Sequence, residues 1–316
     1  MYHLRALDSI LAHASRAEVQ VEPFPHIVLR DVLEDSVCDR LIAEFPPLES
    51  MVGWSPEASN KRLYYRAKTA AHDPALSPLW REMIETHASQ TFLDQLVAIF
   101  GESVLDTYPD FERTFGPLDS LRAGMRYRDS FDAADVLLEA QPSANTPVTA
   151  EPTSVRAGHL DNPNKLFVGL FYLRHPDDDS TGGDLELYRY RSGRPAFEGH
   201  EIGDRYIEPV KTIRYEKNAL IMFLNSPLSL HGVTVRQKTP VPRLFFNLNA
   251  EVSSDLFALP RTTRQRASSK ARTAARMSVR NGRARTVRVL FAAMLLLTLI
   301  FVLLPEALHD HPYDVF

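Results

Sequence analysis

The stretch GHLDNPNKLFVGLFYL, residues 158–173, carries the strongest fold signal, because a polar turn runs directly into a short apolar segment. An apolar run of this length, bounded by turn residues, predicts a buried strand. Similar runs recur between segments rich in Pro, Gly, Asp and Asn: DVLLEA (135–140), DLELYRY (184–190), ALIMFL (219–224) and RLFFNLNAEV (243–252). Several short strands without intervening helices favour an antiparallel sandwich or jelly roll over a parallel sheet.

The sequence before these strands predicts a mainly helical support region over residues 1–110. One strand is expected within residues 23–33, and the helix after it should stop at two prolines. A second helical region is expected to begin at Ser77, with proline in its first turn, to break near Ser89 and to end at Gly101. The predicted class is therefore α+β, with a jelly-roll core over residues 111–255 and helices packed on it.

Composition and charge exclude several classes of protein. The chain has 316 residues and a single cysteine, Cys38, so a disulfide framework and a Cys-rich zinc site are both excluded. Residues 261–316 carry ten Lys or Arg and three acidic residues, a net charge of +7. Because the whole chain has a net charge of −4, the remaining residues carry a net charge of −11. Phosphate binding needs a basic surface on the folded domain, and an acidic body therefore argues against a nucleic-acid partner.

The C-terminal region predicts a membrane anchor. Residues 256–288 form a basic linker, and the sixteen residues from 289 to 304 carry no charge. A transmembrane helix over residues 289–308 is expected, with a buried or interfacial helix as the alternative. Arginines precede this run, so the positive-inside rule places the body on the cytoplasmic side of the membrane.

Three residues are candidate metal ligands. His159 and Asp161 are two residues apart, and side chains with that spacing on a strand share a face. By itself this pair is also typical of a hydrogen-bonded turn. His231, which opens HGVTV, is the expected third ligand, at the start of a strand across the barrel from His159. Two histidines and one carboxylate hold ferrous iron while leaving three coordination positions open.

Arg243 is the candidate anion-binding residue. It begins the last predicted strand, where period two places it on one face with Phe245, Asn247 and Asn249. A guanidinium on a polar inner face needs an anion, which could be a bound carboxylate or a carboxylate of the protein. Arg236, in the loop RQKTP, is the competing candidate.

Together these motifs resemble the 2-oxoglutarate and Fe(II)-dependent oxygenase superfamily, and within it the bacterial proteins similar to prolyl 4-hydroxylases. The resemblance covers residues 22–252 and is carried by GHLDNPNKLFVGLFYL, DDDSTGGDLELY (177–188) and LHGVTV (230–235). It implies a double-stranded β-helix, iron held by His159, Asp161 and His231, and 2-oxoglutarate held by Arg243. It also implies O2 as oxidant, ascorbate as an optional stimulant, and hydroxylation coupled to decarboxylation of 2-oxoglutarate.

Further site residues and alternatives stay open at this level. Gln141, Asn145 and Tyr172 are candidate contacts of the co-substrate, although the first two are equally typical of turns and the tyrosine of a core. The substrate class is open between a peptide, an amino acid and a glycan or lipid precursor. The alternative function is a membrane-tethered, catalytically inactive cupin-like module that binds a metal or a sugar.

Overall fold

The computed structural model describes residues 7–70, 73–195 and 199–259, which belong to the compact unit Met1–Pro260. The α-helices in these residues are α1 (Asp35–Ala43), α2 (Ala67–Ala70), α3 (Pro78–His87), α4 (Gln90–Thr107) and α5 (Phe111–Phe115). The predicted anchor and the linker beyond residue 259 lie outside this part of the chain. None of the described helices combines the length and the apolar character that crossing a membrane requires.

The strands alternate with long loops. They are β1 (His26–Arg30), β2 (Arg62–Tyr64), β3 (Ala123–Met125), β4 (Val136–Asn145), β5 (Lys165–Tyr172), β6 (Leu185–Tyr190), β7 (Ile207–Ile213), β8 (Ala219–Leu224), β9 (His231–Val233) and β10 (Arg243–Val252). Within the described residues these strands form two sheets. The larger has the order β1-β8-β5-β10-β4-β2 with β3 also paired to β4, and the smaller has the order β7-β6-β9. Such sheets with few helices fit a jelly roll.

The helical region is confirmed in part. Ser77 and Ser89 each cap a helix, because their hydroxyls accept from the backbone N–H of Trp80 and Phe92, and the expected break near Ser89 separates α3 from α4. The predicted end at Gly101 was wrong. The helix α4 continues for six more residues, since a buried Val104 on the next turn packs into the core. Tertiary packing here outweighs the low helix propensity of glycine.

The two faces of β10 separate the core from the site. Leu244, Phe246 and Leu248 join the larger apolar core, where the Phe246 ring lies 5.8 Å from that of Trp80 in α3. The alternate residues face the smaller sheet, and their buried side chains are Arg243, Phe245, Asn247, Asn249 and Glu251. The period-two prediction for this strand is therefore confirmed, and it aligns a row of polar groups along the inside of the barrel.

Candidate metal centre and adjoining anion pocket

His159 and His231 are direct cross-strand neighbours. The backbone N–H of His159 donates to the carbonyl of His231 at 2.9 Å, and the reciprocal bond is 3.2 Å. Residues that exchange both bonds in an antiparallel pair project their side chains to the same face. The sequence-based expectation that His231 lies across the barrel from His159 was wrong: His231 is on the adjacent strand, because β9 pairs with this segment as well as with β6.

The structure brings all three candidate ligands together. His159, Asp161 and His231 are buried and each offers one ligand atom within 4.8 Å of the other two. His231 Nε2 lies 3.9 Å from Asp161 Oδ2, and the two imidazole rings have their centroids 4.2 Å apart. Within the described residues, no fourth His, Cys, Asp or Glu joins this set. Three ligands leave coordination positions open, which is the pattern of a catalytic rather than a closed structural site.

Backbone carbonyls fix the tautomers of both histidines. His159 Nδ1 lies 2.8 Å from the carbonyl oxygen of Ala157, and His231 Nδ1 lies 2.9 Å from that of Ser229. A carbonyl oxygen can only accept a hydrogen bond, so each Nδ1 carries the hydrogen and each Nε2 keeps its lone pair. This is the second contact that metal-binding histidines usually make, and the donor set therefore fits a divalent transition metal.

The charges of the triad also suit a metal. Burial lowers the pKa of His159 well below its usual range, and burial likewise lowers the pKa of His231, so both rings are neutral. Burial acts to raise the pKa of Asp161, but the positive charges of Lys165 and Arg156 act against it and the net pKa is far below the usual range. Neutral imidazoles beside an ionised carboxylate are the protonation states that coordination requires.

Two cations flank the Asp161 carboxylate, and neither was singled out from the sequence. Arg156 Nη1 lies 3.5 Å from Oδ1, and Lys165 Nζ lies 3.4 Å from Oδ2. Each oxygen thus has its own positive neighbour, which keeps the carboxylate ionised and oriented. Both residues stand within a few positions of the aspartate in RAGHLDNPNK, so a local signal existed, but lysine and arginine side chains are usually solvated.

Arg243 lies in a buried pocket of aromatic rings, which belong to the same apolar cluster as Phe223, and the Phe223 ring lies 4.8 Å from that of His231. Its guanidinium carbon is 4.9 Å from the ring centroid of Tyr172, 4.8 Å from that of Tyr215 and 5.1 Å from that of Phe245. Its Nε donates to the carbonyl of Gly183 at 2.8 Å. These contacts hold the charged plane in a fixed orientation away from water. Tyr215 precedes β8 in an irregular segment, and no periodic signal in the sequence marked it.

The pocket around Arg243 contains hydrogen-bond donors without partners. Arg243 Nη1 donates to Asn145 Oδ1 at 3.3 Å. This bond assigns the orientation of the Asn145 amide and leaves its Nδ2 free to donate to another group. Three buried donors have no hydrogen-bond partner in the part of the chain that the structure describes: Arg243 Nη2, Asn145 Nδ2 and the Tyr172 hydroxyl. A buried unpaired donor costs about 1–3 kcal/mol, so three in one place indicate a missing acceptor. A carboxylate fits, since it only accepts hydrogen bonds.

The two candidate arginines differ in their partners. Arg236 is equally buried, but its Nη2 lies 2.8 Å from Asp178 Oδ2 and its Nε donates to Ser180. Asp178 therefore neutralises Arg236, which agrees with its lower rank as the competing candidate. Within the described residues, no ion pair joins Arg243 to a protein carboxylate, and its contacts are the neutral groups of Gly183 and Asn145. Of the two, only Arg243 offers an uncompensated charge to a ligand.

The other candidates are placed as follows. Gln141 is buried on the inner face of β4, opposite Asn247 of β10. Arg62 in β2 was not anticipated: it donates to Asn247 Oδ1 at 2.8 Å, while part of the side chain stays exposed. Burial lowers the Arg62 pKa, Asp161 raises it and Arg243 lowers it, so Arg62 lies within electrostatic reach of both the triad and the anion pocket.

Gly183 is expected to be required at the back of this pocket. Its φ is +80°, and a Cβ there would lie 3.3 Å from Cδ of Arg243 and 3.3 Å from Cδ of Arg236. In Gly183→Ala we expect a loss of about 1–3 kcal/mol in stability from backbone strain and a several-fold weaker binding of any ligand of Arg243. Thermal unfolding and calorimetric titration with 2-oxoglutarate measure the two effects.

Gly193 provides the matched control. It also has a positive φ, +66°, but open space surrounds its Cβ position. Gly193→Ala should therefore show similar strain with unchanged ligand binding. Equal ligand affinities in the two variants would contradict the role given to Gly183.

Comparison with known proteins gives structural neighbours only. No family model and no curated protein matches the sequence. The chain is similar to a prolyl 4-hydroxylase of Pseudomonas putida at 12% identity and a TM-score of 0.38, over 72% of this chain and 93% of that one. It is similar to the prolyl hydroxylase of Trichoplax adhaerens solved with a hypoxia inducible factor peptide, at 12% identity and a TM-score of 0.42, over 75% and 89%.

A third neighbour is HygX of Streptomyces hygroscopicus, solved with nickel and 2-oxoglutarate bound. Its identity is 15% and its TM-score 0.36, over 72% of this chain and 83% of that one. The first two of these neighbours are named as prolyl hydroxylases, and the third was solved with nickel and 2-oxoglutarate.

Proposed function

We propose that this protein is an Fe(II) and 2-oxoglutarate-dependent dioxygenase that hydroxylates a substrate while 2-oxoglutarate is decarboxylated to succinate and CO2. The observation that carries the proposal is the pairing of an open, buried His-Asp-His triad with a buried arginine that has no carboxylate partner. A triad without such an arginine would fit a simple metal-binding module equally well. Together the two features supply a metal site and a separate binding site for a carboxylate of the co-substrate.

His159, Asp161 and His231 would hold the metal. The metal would supply the capacity to bind 2-oxoglutarate and O2 together and to oxidise an unactivated C–H bond. The chain supplies neutral Nε2 atoms, oriented by the carbonyls of Ala157 and Ser229, and an ionised carboxylate. Because His159 and His231 are paired through their backbones, the positions of these two ligands are set by strand pairing, and Asp161 follows His159 by two residues.

Arg243 would bind the distal carboxylate of 2-oxoglutarate. The unpartnered Nη2 of Arg243, the Tyr172 hydroxyl and Asn145 Nδ2 would each donate to its oxygens. In this buried environment such charge-assisted bonds are roughly twice as strong as neutral ones. The rings of Tyr172, Tyr215 and Phe245 would exclude water and so keep the co-substrate in one orientation. Gln141 faces the same interior and is a further candidate contact.

Succinate formation tests the proposal. Purified full-length protein is incubated with Fe(II), 2-oxoglutarate, O2 and ascorbate, and succinate is quantified against samples lacking one component. We expect slow succinate release that requires both iron and 2-oxoglutarate, even without the substrate. Absence of release, together with no calorimetric binding of 2-oxoglutarate to the metal-loaded protein, would contradict the proposal and favour an inactive metal-binding module.

We also propose that the C-terminal segment tethers the enzyme to the bacterial inner membrane, with the catalytic unit in the cytoplasm. The support is the sequence alone, a basic stretch followed by the uncharged residues 289–304. Cells that produce the full chain or residues 1–260 are fractionated by ultracentrifugation. The full chain is expected in the membrane pellet and the shorter chain in the supernatant; full chain in the supernatant would remove this proposal.

A further inference from the structure

The inner face of β10 carries hydrogen-bond acceptors without partners at the end opposite Arg243. Asn249 Oδ1 and Glu251 Oε1 are buried and have no hydrogen-bond partner among the described residues. Both residues are more than nine-tenths buried, at 6% and 5% exposure. They are two positions apart on the strand and therefore point to the same side. These acceptors form a second unsatisfied group, distinct from the donors around Arg243.

Neighbouring contacts fix the direction in which these acceptors point. Asn249 Nδ2 donates to Glu139 Oε2 at 3.4 Å, so the amide oxygen is turned away from that carboxylate. Glu251 uses its other oxygen, Oε2, in an ion pair with Arg126 Nε at 3.0 Å. Arg126 Nη1 also pairs with Glu139 Oε2 at 2.7 Å. The arrangement leaves one amide oxygen and one carboxylate oxygen available to a ligand.

This acceptor cluster adjoins the metal centre. Glu251 is the register partner of Lys165 across β10 and β5, and Lys165 Nζ is 3.4 Å from the metal-binding carboxylate of Asp161. Burial lowers the pKa of Arg62, and the negative charges of Asp161 and Glu139 both act to raise it, so both carboxylates lie near this guanidinium. A ligand that contacts Asn249 and Glu251 would therefore lie near the triad, at the end of β10 opposite the pocket around Arg243.

The chemistry of the cluster selects its ligand. Acceptors that lack partners need N–H or O–H donors, just as the donors around Arg243 need a carboxylate. Two carboxylates, Glu139 and Glu251, share the single positive charge of Arg126, and Lys165, whose amine lies 3.4 Å from Asp161, acts electrostatically on Glu251 as well. The group formed by the two glutamates and the arginine carries a net charge of −1. A cationic nitrogen would complete both the charge and the hydrogen bonds.

We propose that Glu139, Asn249 and Glu251 form the substrate subsite of this enzyme and that the substrate presents a cationic nitrogen there, an ammonium or a guanidinium. Its description as a substrate subsite rests on the proposed function, whereas the binding of a cation does not. The oxidised carbon would belong to the same molecule and lie between this nitrogen and the metal. Peptides, free amino acids and other amines that carry such a group remain members of the class.

Calorimetric titration of the full chain, loaded with Ni(II) and 2-oxoglutarate, tests the inference without turnover. The probes are N-acetyl-argininamide and N-acetyl-lysinamide, compared with their neutral analogues N-acetyl-citrullinamide and N-acetyl-norleucinamide. We expect at least one cationic probe to bind about ten-fold or more tightly than its neutral analogue, since a charge-assisted buried bond contributes about 1.5–3 kcal/mol. Equal affinities within both pairs, or no binding by either cationic probe, would overturn the inference.

Substitutions of Glu251 and Asn249 test whether these residues cause the preference for a cationic probe. Glu251→Gln should reduce the affinity for the preferred cationic probe about ten-fold or more and leave the affinity for 2-oxoglutarate within about two-fold. Asn249→Ala should weaken the binding of the same probe several-fold. If Glu251→Gln does not fold, Asn249→Ala alone tests the assignment. Glu49→Gln removes a charge from an exposed position and is the control. Unaltered preference in both site variants would refute the assignment of these residues.

The two proposals can fail separately. If 2-oxoglutarate does not bind to the Ni(II)-loaded protein but the cationic probe does, the oxygenase proposal falls and the cation site stands. If 2-oxoglutarate binds and neither cationic probe shows a preference, the oxygenase proposal stands and the subsite is wrong.

Discussion

Replacing Arg243 by alanine is expected to raise the KM for 2-oxoglutarate by about 100-fold or more. The substitution removes a buried guanidinium that would make two charge-assisted hydrogen bonds, each contributing about 1.5–3 kcal/mol, and 1.4 kcal/mol corresponds to a factor of ten. Tyr172 and Asn145 would keep their donors, but both of these side chains are neutral. Succinate release measured over a range of 2-oxoglutarate concentrations gives the KM, and calorimetry gives the affinity.

Arg236 supplies the control for this prediction. Arg236→Lys keeps a cation opposite Asp178 and should leave the KM for 2-oxoglutarate within about three-fold, because the ion pair is separate from the co-substrate contacts. The two variants therefore separate arginines that are similar in burial and close in sequence. If the KM rises in Arg236→Lys and stays constant in Arg243→Ala, then Arg236 rather than Arg243 binds 2-oxoglutarate.

The second large effect is expected at the metal centre. His231→Ala should weaken the binding of Ni(II), or of Fe(II) without oxygen, by more than about 100-fold, because even outer contacts of a metal site cost 10–100-fold. Removing one of three ligands also leaves Asp161 facing Lys165 and Arg156 without the metal that completes the charge balance. Calorimetric titration of the full-length protein with the metal gives the affinity and the number of ions bound.

His175→Ala tests whether the loss is specific. His175 is half exposed and bonds within its own turn, where its Nδ1 accepts from the backbone N–H of Asp177. Its removal should leave metal binding unchanged. Retention of full metal affinity in His231→Ala would mean that the three buried residues are a hydrogen-bonded cluster rather than a metal site.

The local parts of the site followed from the sequence. A separation of two residues is enough to place His159 and Asp161 on one face, because side chains alternate in extended chain. The same alternation assigned Arg243 and Phe245 to one side of β10 and Leu244 to the other, as the structure has them. Proline and serine near Ser77 and Ser89 likewise marked the helix starts, since hydroxyl capping depends only on neighbours in the chain.

Only the tertiary structure decided which distant residues meet. Strand pairing placed His231 directly opposite His159, and the packing of a separate loop gave Arg236 its partner Asp178 and left Arg243 without one. A sequence shows that a side chain is charged, but not whether a residue far along the chain neutralises it. Burial without a partner is a property of the assembled fold, and for that reason the donors around Arg243 and the acceptors at Asn249 and Glu251 became visible only there.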